Sequence, residues 1–389
     1  MRIGIDARTI LNPEKGDAIG VGHYTYQLIR HLLEIDHKNE YVLFFDFRVR
    51  EKDVRKFRKK GVKIKFYPFS DYSKYMPGIY NELLTLATLK KEKLDILHST
   101  SPQSRIPSSY AGKLVVTFHD LAPYKIPECF PRWKKIKEKT NDRLMAKKAD
   151  KIIAVSQSIK NDLESIWNLG NKAKIIYSGL DERFFEKPDL DYKKIVARLG
   201  ITKKYILFLG TLEPSKNITR LLQAFAQFKK KWLQKRKIKN SHKFDFQLVL
   251  AGKRGWLGKE YRHIARDLGI HKDVVFPGYI IGDELVPLFK EAELFIMPSL
   301  YEGFGMTVLE ALATETPSII SDVSSLPEIA HNVAYFINPL DVSQMTELML
   351  NMIEDENFRN KYLKKGKERA LYFNWKKTAK ETLELYKKL

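Results

Sequence analysis

Short runs of Ile, Val, Leu and Phe alternate along the chain with longer stretches of helical period. This is the pattern of parallel strands, buried on both faces and joined by helical crossovers. A first series predicts strands over Arg2–Asp6, Tyr41–Phe45, Val62–Phe66, Leu94–His98, Leu114–Phe118, Lys151–Val155 and Lys174–Tyr177, with helices such as Tyr24–Leu33 and Ile79–Leu89 between them. A second series begins at Lys204–Gly210 and runs through Phe244–Ala251, Val274–Phe276, Glu293–Met297 and Pro317–Ser321, with helices over Ile218–Phe228, Glu260–Leu268 and Thr307–Ala313. Both read as α/β, doubly wound, Rossmann-like domains, residues 1–190 and 191–373. The charged stretch Asp181–Asp191 carries no strand pattern and places the linker near residue 190. A cleft between two such domains is the expected ligand site.

Length agrees with two cores, since 389 residues exceed what one ordinary domain packs. No apolar run approaches the ~20 residues of a membrane span, and Asp6 stands where a signal peptide would be apolar, so the expectation is a cytoplasmic protein. Cys129 is the single cysteine, which excludes an intrachain disulfide and a thiolate metal cluster; it reads as an inert filler. The formal net charge of +22 changes the picture more, because it points to an anionic partner: a phosphorylated substrate, anionic lipid or nucleic acid.

Candidate chemistry concentrates in Tyr301–Ala313, YEGFGMTVLEALA. In one continuous helix Glu302 and Glu310 would lie about 80° apart around the axis, but Gly303 and Gly305 argue against continuity. The better reading is strand Glu293–Met297, a turn holding Glu302, and a helix from near Met306 with Glu310 in its second turn. Main-chain N–H groups at Gly303, Phe304, Gly305, Met306 and Thr307 would then meet an anion at a positively polarised helix start. Carboxylates do not bind phosphate, so their work would be hydrogen bonding to hydroxyls of a sugar or ribose. The plain alternative is two solvated surface acids.

Pro298–Ala313 resembles the E-x7-E motif of family 4 glycosyltransferases, which have the GT-B fold of two Rossmann-like domains facing across a cleft. Further segments resemble that family in order: Gly20–Thr25, Thr117–Leu121, Ala154–Ser158, Tyr177–Asp181, Gly210–Asn217 and Ser325–Glu328. The resemblance implies transfer of a sugar from a nucleotide-diphosphate donor with retention of configuration and without a bound metal or cofactor. It implies that Glu302 contacts hydroxyls of the transferred sugar, that Glu310 holds the donor ribose, and that His119 lies beside the donor sugar. It also implies that the helical stretch Asn374–Leu389 packs back onto the first domain.

Other residues carry their own arguments. Gly20, Val21 and Gly22 precede a helix expected near Tyr24, and their backbone could press against a diphosphate; a merely flexible loop is the alternative. A dinucleotide fingerprint is rejected, because these glycines do not follow the first strand directly and Thr25 occupies the third glycine position. His119 follows strand Leu114–Phe118, at the carboxyl end where open α/β sheets place ligands, although a His-Asp pair there is often a structural turn. Lys216, after strand Tyr205–Gly210, is placed to neutralise a departing diphosphate. The family's phosphate-binding Arg is absent: Thr211 and Ser215 stand at its two usual places, so Arg254, after another strand end, is the candidate substitute. Glu328 either contacts the base or braces the cleft.

Among donors the wording of Gly210–Asn217 and Ala251–Trp256 is similar to bacterial mannosyltransferase-like members, which favours GDP-mannose, with a glycan or lipid-linked glycan as acceptor in surface polysaccharide or lipopolysaccharide synthesis. Sucrose- or trehalose-type synthases and phosphorylases are the nearer rivals. A basic nucleic-acid-binding α/β protein is the more distant one, lacking any recognition motif, so nucleic acid is not expected as a partner. Basic clusters fall at Lys52–Lys65, Arg132–Lys148 and Lys229–Lys239. The middle one sets Trp133, Ile136 and Leu144 at helix-like spacing, as a basic helix lying on anionic lipid would, which gives a peripheral place at the inner membrane face as an alternative to a solvated surface.

Overall fold

The computed structural model describes residues 1–11, 20–46, 48–58, 61–67, 78–104, 106–238, 244–255 and 261–389, with the backbone alone for 78–82. The chain divides into two compact units: Met1–Leu121 with Ile136–Gly179 and Phe373–Leu389, and Ala122–Lys135 with Leu180–Tyr372.

In the first unit seven parallel strands, β1 (Arg2–Asp6), β2 (Glu40–Asp46), β3 (Val62–Tyr67), β4 (Ile96–Ser99), β5 (Lys113–Phe118), β6 (Lys151–Ala154) and β7 (Ala173–Ile175), take the order β3-β2-β1-β4-β5-β6-β7. The chain winds outward from β1 to β3, then returns to the other side of β1, so the sheet reverses direction between β1 and β4. The second unit repeats the device with β8 (Lys204–Leu209), β9 (Phe246–Ala251), β10 (Val274–Gly278), β11 (Leu294–Met297), β12 (Ser318–Ser321) and β13 (Tyr335–Ile337) in the order β10-β9-β8-β11-β12-β13. Its reversal falls between β8 and β11. Ligands of open α/β sheets bind at the carboxyl ends of strands at such switch points.

The central strands are largely apolar because helices cover both faces. Ile206, Leu207, Phe208, Leu248, Val249 and Leu250 are all fully buried, each contributing about 1.5–3 kcal/mol of apolar transfer. Helix Ile218–Lys235 lays Phe225, Phe228 and Trp232 against Phe244 and Phe246, in ring contacts of 4.9 to 5.9 Å.

Four expectations need correction. The second unit begins at Leu180, ahead of the linker expected near 190, because Phe184 is buried against Phe289 of that unit at 6.3 Å. Ala122–Lys135 also sorts with the second unit. Gly20, Val21 and Gly22 are the first turn of helix Gly20–Ile35 and not a loop ahead of it. Strand β13 and helices Val342–Glu354, Glu356–Asn360 and Leu363–Leu371 add to the elements expected from the apolar runs. The last helix, Trp375–Tyr386, belongs to the first unit. Among the described residues no helix is long and apolar enough to cross a membrane.

Candidate active site

In the second unit the two loops at the switch point are knitted together. The loop after β8 turns through a short 3-10 segment, Pro214–Lys216, and Asn217 adopts φ 60° before helix Ile218–Lys235. Asn217 Nδ2 donates to Pro298 O (3.1 Å) and Pro339 O (2.6 Å), and Leu300 N donates to Ser215 O (2.8 Å). The residue pinned between these ties is Lys216, whose Nζ reaches Glu302 Oε1 at 2.6 Å. Ser299 Oγ donates to the same oxygen at 2.7 Å. Side-chain exposure of 18% for Lys216 and 12% for Glu302 makes this a largely desolvated pair.

The Glu302 backbone is held just as firmly. Its N–H donates to Ser324 Oγ (2.8 Å), and its carbonyl accepts from Ser325 Oγ (2.9 Å). The Ser324–Ser325 turn thus fastens the Glu302 loop to the segment carrying Glu328. Glu328 lies half-buried in the first turn of helix Leu326–Ala330, its carbonyl taking Arg369 Nη2 at 2.7 Å.

Helix Met306–Ala313 opens on Gly305 at φ 97°, with no side-chain cap. Glycine suits this positive φ, and an added Cβ would lie 2.7 Å from Leu326 Cδ2 and displace the end of that side chain. Within this first turn Val308 N and Leu309 N donate to Gly305 O (3.1 and 3.3 Å), and the turn stands at the positive end of the helix dipole. Gly303 and Phe304 are buried beside it, and Met306 and Thr307 half-buried. Glu310 stands in the second turn. Burial foremost pushes its carboxyl up to about 8, against the pull of Arg183 and with a further push from Asp181.

Arg254 pairs backbone to backbone with Leu212 across the β8 and β9 loops, where Gly252 packs so tightly that a Cβ would fall 1.8 Å from Gly210 O. The Arg254 side chain is exposed and lines a cavity of about 400 Å³ shared with Leu212, Tyr261, Arg262, Arg266 and Phe276. Trp256, the last residue of the Ala251–Trp256 stretch, lies outside the described residues.

In the first unit His119 sits just beyond β5, partly exposed, its Nε2 2.8 Å from Thr100 O. Since a carbonyl only accepts, Nε2 carries the hydrogen and Nδ1 is an acceptor. Burial of the ring pushes its pKa down to about 4, the Thr100 carbonyl opposing, so the imidazole is neutral at pH 7. Tyr24 meets it edge-on at 4.6 Å. Thr100 is itself fixed, its Oγ1 donating to Asp6 O (3.0 Å) and accepting from Thr25 Oγ1 (2.9 Å). On helix Gly20–Ile35, Gly20 is exposed with φ 70°, Val21 half-buried and Gly22 buried.

The second unit therefore brings together Lys216, Glu302 and the start of helix Met306–Ala313, while Arg254, Glu310 and Glu328 stand on neighbouring loops and turns. Sequence reasoning missed Ser299, Arg183 and Ser324 in this unit, and Tyr24 and Thr100 as the supports of His119. Strand register brings Thr100 to His119, since β4 runs beside β5 with His98 opposite Val115 and Ser99 opposite Val116, whereas Tyr24 comes from helix Gly20–Ile35.

Two parallel sheets, each with a switch point in its strand order, define a doubly wound α/β protein. Residues 19–184 match the model described as Glycosyltransferase Family 4, and residues 191–369 match Glycosyl transferases group 1. The chain belongs to glycosyltransferase family 4. It is 25% identical over 281 residues to O-antigen chain mannosyltransferase B of Escherichia coli, covering 71% of each chain. It also matches the longer serotype-specific mannosyltransferases of Escherichia coli, spanning about a third of their length. Among solved structures, sucrose-phosphate synthase of Thermosynechococcus elongatus superposes with a TM-score of 0.75 at 19% identity, covering 100% of this chain and 98% of that one. The Anabaena protein HepE, solved with UDP-glucose, gives 0.75 at 17%, covering 100% of both. The fold is that of GT-B glycosyltransferases.

Proposed function

We propose that the protein is a metal-independent, retaining hexosyltransferase that moves mannose from GDP-mannose to a glycan or lipid-linked glycan acceptor during synthesis of a surface polysaccharide. The observation that carries this reading is the Lys216–Glu302 pair at 2.6 Å beside an uncapped helix start. In this reading main-chain amides from Gly303 to Thr307 and Lys216 take the donor diphosphate, with Arg254 as the second cation. Glu310 takes the ribose, Glu302 the hydroxyls of the transferred sugar, and Glu328 the base or its loop. His119 offers its Nδ1 lone pair to a sugar hydroxyl.

The bond from the anomeric carbon to the phosphate oxygen breaks as the acceptor oxygen bonds to the same face, and the acceptor proton passes to a donor phosphate oxygen. Lys216 offsets the charge that grows on the diphosphate. Glu302 orients rather than attacks; a glycosyl adduct on Glu302, seen by mass spectrometry, would overturn that assignment. The mannosyltransferase name of the Escherichia coli relative supports the sugar. The synthase-like fold supports a second reading, a phosphosugar acceptor, which an acceptor panel separates. Thermal-shift measurements with GDP, UDP, dTDP and single-stranded DNA test the donor: stabilisation by GDP first is expected, and preference for UDP or for DNA would replace the reading.

The acceptor side is read as peripheral to the cytoplasmic face of a membrane. Two of the three basic clusters are occupied within the protein: Lys229 pairs with Asp273, Lys231 with Glu347 and Lys235 with Glu354, while Lys63 and Lys65 pair with Glu92. Helix Arg132–Lys148 instead presents Trp133 and Ile136 at 67% and 69% exposure among its cations. Flotation with phosphatidylglycerol vesicles at physiological salt tests it, and binding unchanged in Trp133→Ala/Ile136→Ala would remove this helix from the contact.

A further inference from the structure

The C-terminal helix Trp375–Tyr386 does more than fill a groove of the first unit. At one end Trp375 is buried among His23, Tyr24 and His31, with ring centroids 6.2, 5.6 and 6.4 Å away. Tyr24 passes that contact directly to His119, meeting it edge-on at 4.6 Å. At the other end Tyr386 Oη lies 2.6 Å from His98 Nδ1, and His98 Nε2 lies 2.8 Å from Thr117 Oγ1. Thr117 stands two residues before His119 on β5, and His98 two residues before Thr100, whose carbonyl fixes the His119 tautomer. All these supports are buried: Tyr24 and Trp375 are 3% exposed, and His98, Thr100, Thr117 and Tyr386 are 0%.

The position of Trp375 is set by shape. Its Nε1–H is buried without an acceptor, which is a burden rather than a support. Gly179 is what admits it: a Cβ on Gly179 would come 2.3 Å from the Trp375 nitrogen and 2.6 Å from its Cα and Cγ. The helix is further tied by Thr378 Oγ1 donating to Tyr177 O at 2.7 Å. Tyr24 Oη sits beside Thr117 without completing a hydrogen bond, so the Tyr24 ring is placed by its neighbours on either side, Trp375 and His119.

We propose that the C-terminal helix positions the His119 imidazole, through Trp375 and Tyr24 on one arm and through Tyr386, His98 and Thr117 on the other, making Trp375 and Tyr386 positioning residues for sugar transfer. The part that concerns transfer rests on the reading of His119 as a sugar contact; the mechanical coupling does not.

The test uses the full chain labelled with 15N-histidine. Long-range 1H–15N spectra between pH 4 and 8 report the tautomer and titration midpoint of His119, assigned by His119→Gln. Trp375→Leu and Gly179→Ala are expected to mix the tautomers and raise the midpoint toward the ordinary 6.5. Trp375→Phe, which keeps an aromatic edge, is expected to restore both. Tyr386→Phe removes one hydroxyl only and guards against a variant that fails to fold; it is expected to change the His98 and His119 signals together. In parallel, release of GDP from GDP-mannose and of UDP from UDP-glucose gives turnover. Trp375→Leu is expected to lower kcat by about 30- to 100-fold with KM within about threefold, the signature of a misplaced rather than unbound substrate. Folded Trp375→Leu and Tyr386→Phe proteins whose His119 signals match the wild type would refute the proposal. If those signals move while His119→Ala leaves turnover intact, the coupling stands and the role given to His119 in transfer falls.

Discussion

Replacing Glu310 by Gln probes the half of the carboxylate motif that burial, rather than a cation, governs. Its carboxyl is pushed from 4.5 up to about 8. Between those values the native chain keeps the proton and the unfolded chain has lost it. The native state therefore binds more protons, and stability falls as pH rises from 4.5 through about 8. At 1.36 kcal/mol per unit, the span sets a ceiling of about 5 kcal/mol. The residue retains partial solvent access, which screens the charged form, so about 2–3 kcal/mol is the working expectation. The amide of Glu310→Gln cannot titrate, and the difference between wild type and variant cancels the titration of every other group. Urea unfolding of both at pH 5, 7 and 9 should show the wild type losing that amount relative to the variant. Parallel profiles would refute the reasoning. The same proton tests the role in binding. If ribose hydroxyls donate to Glu310, the carboxylate is the bound form, and a group of pKa about 8 is roughly nine-tenths protonated at pH 7. Binding of the nucleoside diphosphate that stabilises the protein most should then release close to one proton, read by calorimetry in phosphate and Tris. No release would mean that Glu310 does not accept from the ribose.

The remaining outcomes concern the neighbouring groups. Lys216→Met and Glu302→Gln should be non-additive in unfolding free energy, with a coupling of about 1–3 kcal/mol in a double-mutant cycle; additive effects would mean that the 2.6 Å pair has no energetic consequence. Gly305→Ala forces φ 97° on a residue with a Cβ and drives that Cβ to 2.7 Å from Leu326, so about 2–3 kcal/mol of stability and the nucleotide-induced thermal shift should both be lost; retention of the shift would show that this helix start does not hold the ligand. Because the His119 pKa lies near 4, kcat/KM should show no His119 limb between pH 6 and 8. A limb near 6.5 that disappears in His119→Gln would contradict the neutral tautomer.

The central strands were legible because a position covered on both faces leaves little polar alternation: β8 and β9 are apolar along nearly their whole length and buried along it. The turn and helix start around Glu302 were legible because Gly303 and Gly305 break any continuous helix, and Gly305 indeed carries the positive φ. Other features were not. Charge and the lack of a strand pattern marked Asp181–Asp191 as the linker, but the unit boundary is decided by the buried side chains of Leu180, just ahead of that stretch, and Phe184 within it. Met345, Met349 and Met352 recur at helical spacing and are fully buried, a signal for helix Val342–Glu354 that a search for Ile, Val, Leu and Phe runs passes over. The Lys216–Glu302 pair joins residues 86 positions apart. It exists because β11 pairs directly with β8, a neighbourhood fixed by sheet order and invisible to any local pattern.

The contrast between the two glutamates says which chemistry each can support. Glu310 is governed by burial, with Arg183 too weak a counterweight, and it holds a proton. Glu302 has two donors, the Lys216 ammonium and the Ser299 hydroxyl, and both land on Oε1. A carboxylate whose lone pairs are engaged in this way is fixed in direction and weakened as a nucleophile, because attack on an anomeric carbon would have to loosen a desolvated ion pair at the moment charge is needed there. The same ties make it a rigid acceptor through Oε2 and set an ammonium beside it, where negative charge on a diphosphate would otherwise repel the carboxylate. Where these donors bond favours the orienting role proposed for Glu302 over that of a nucleophile.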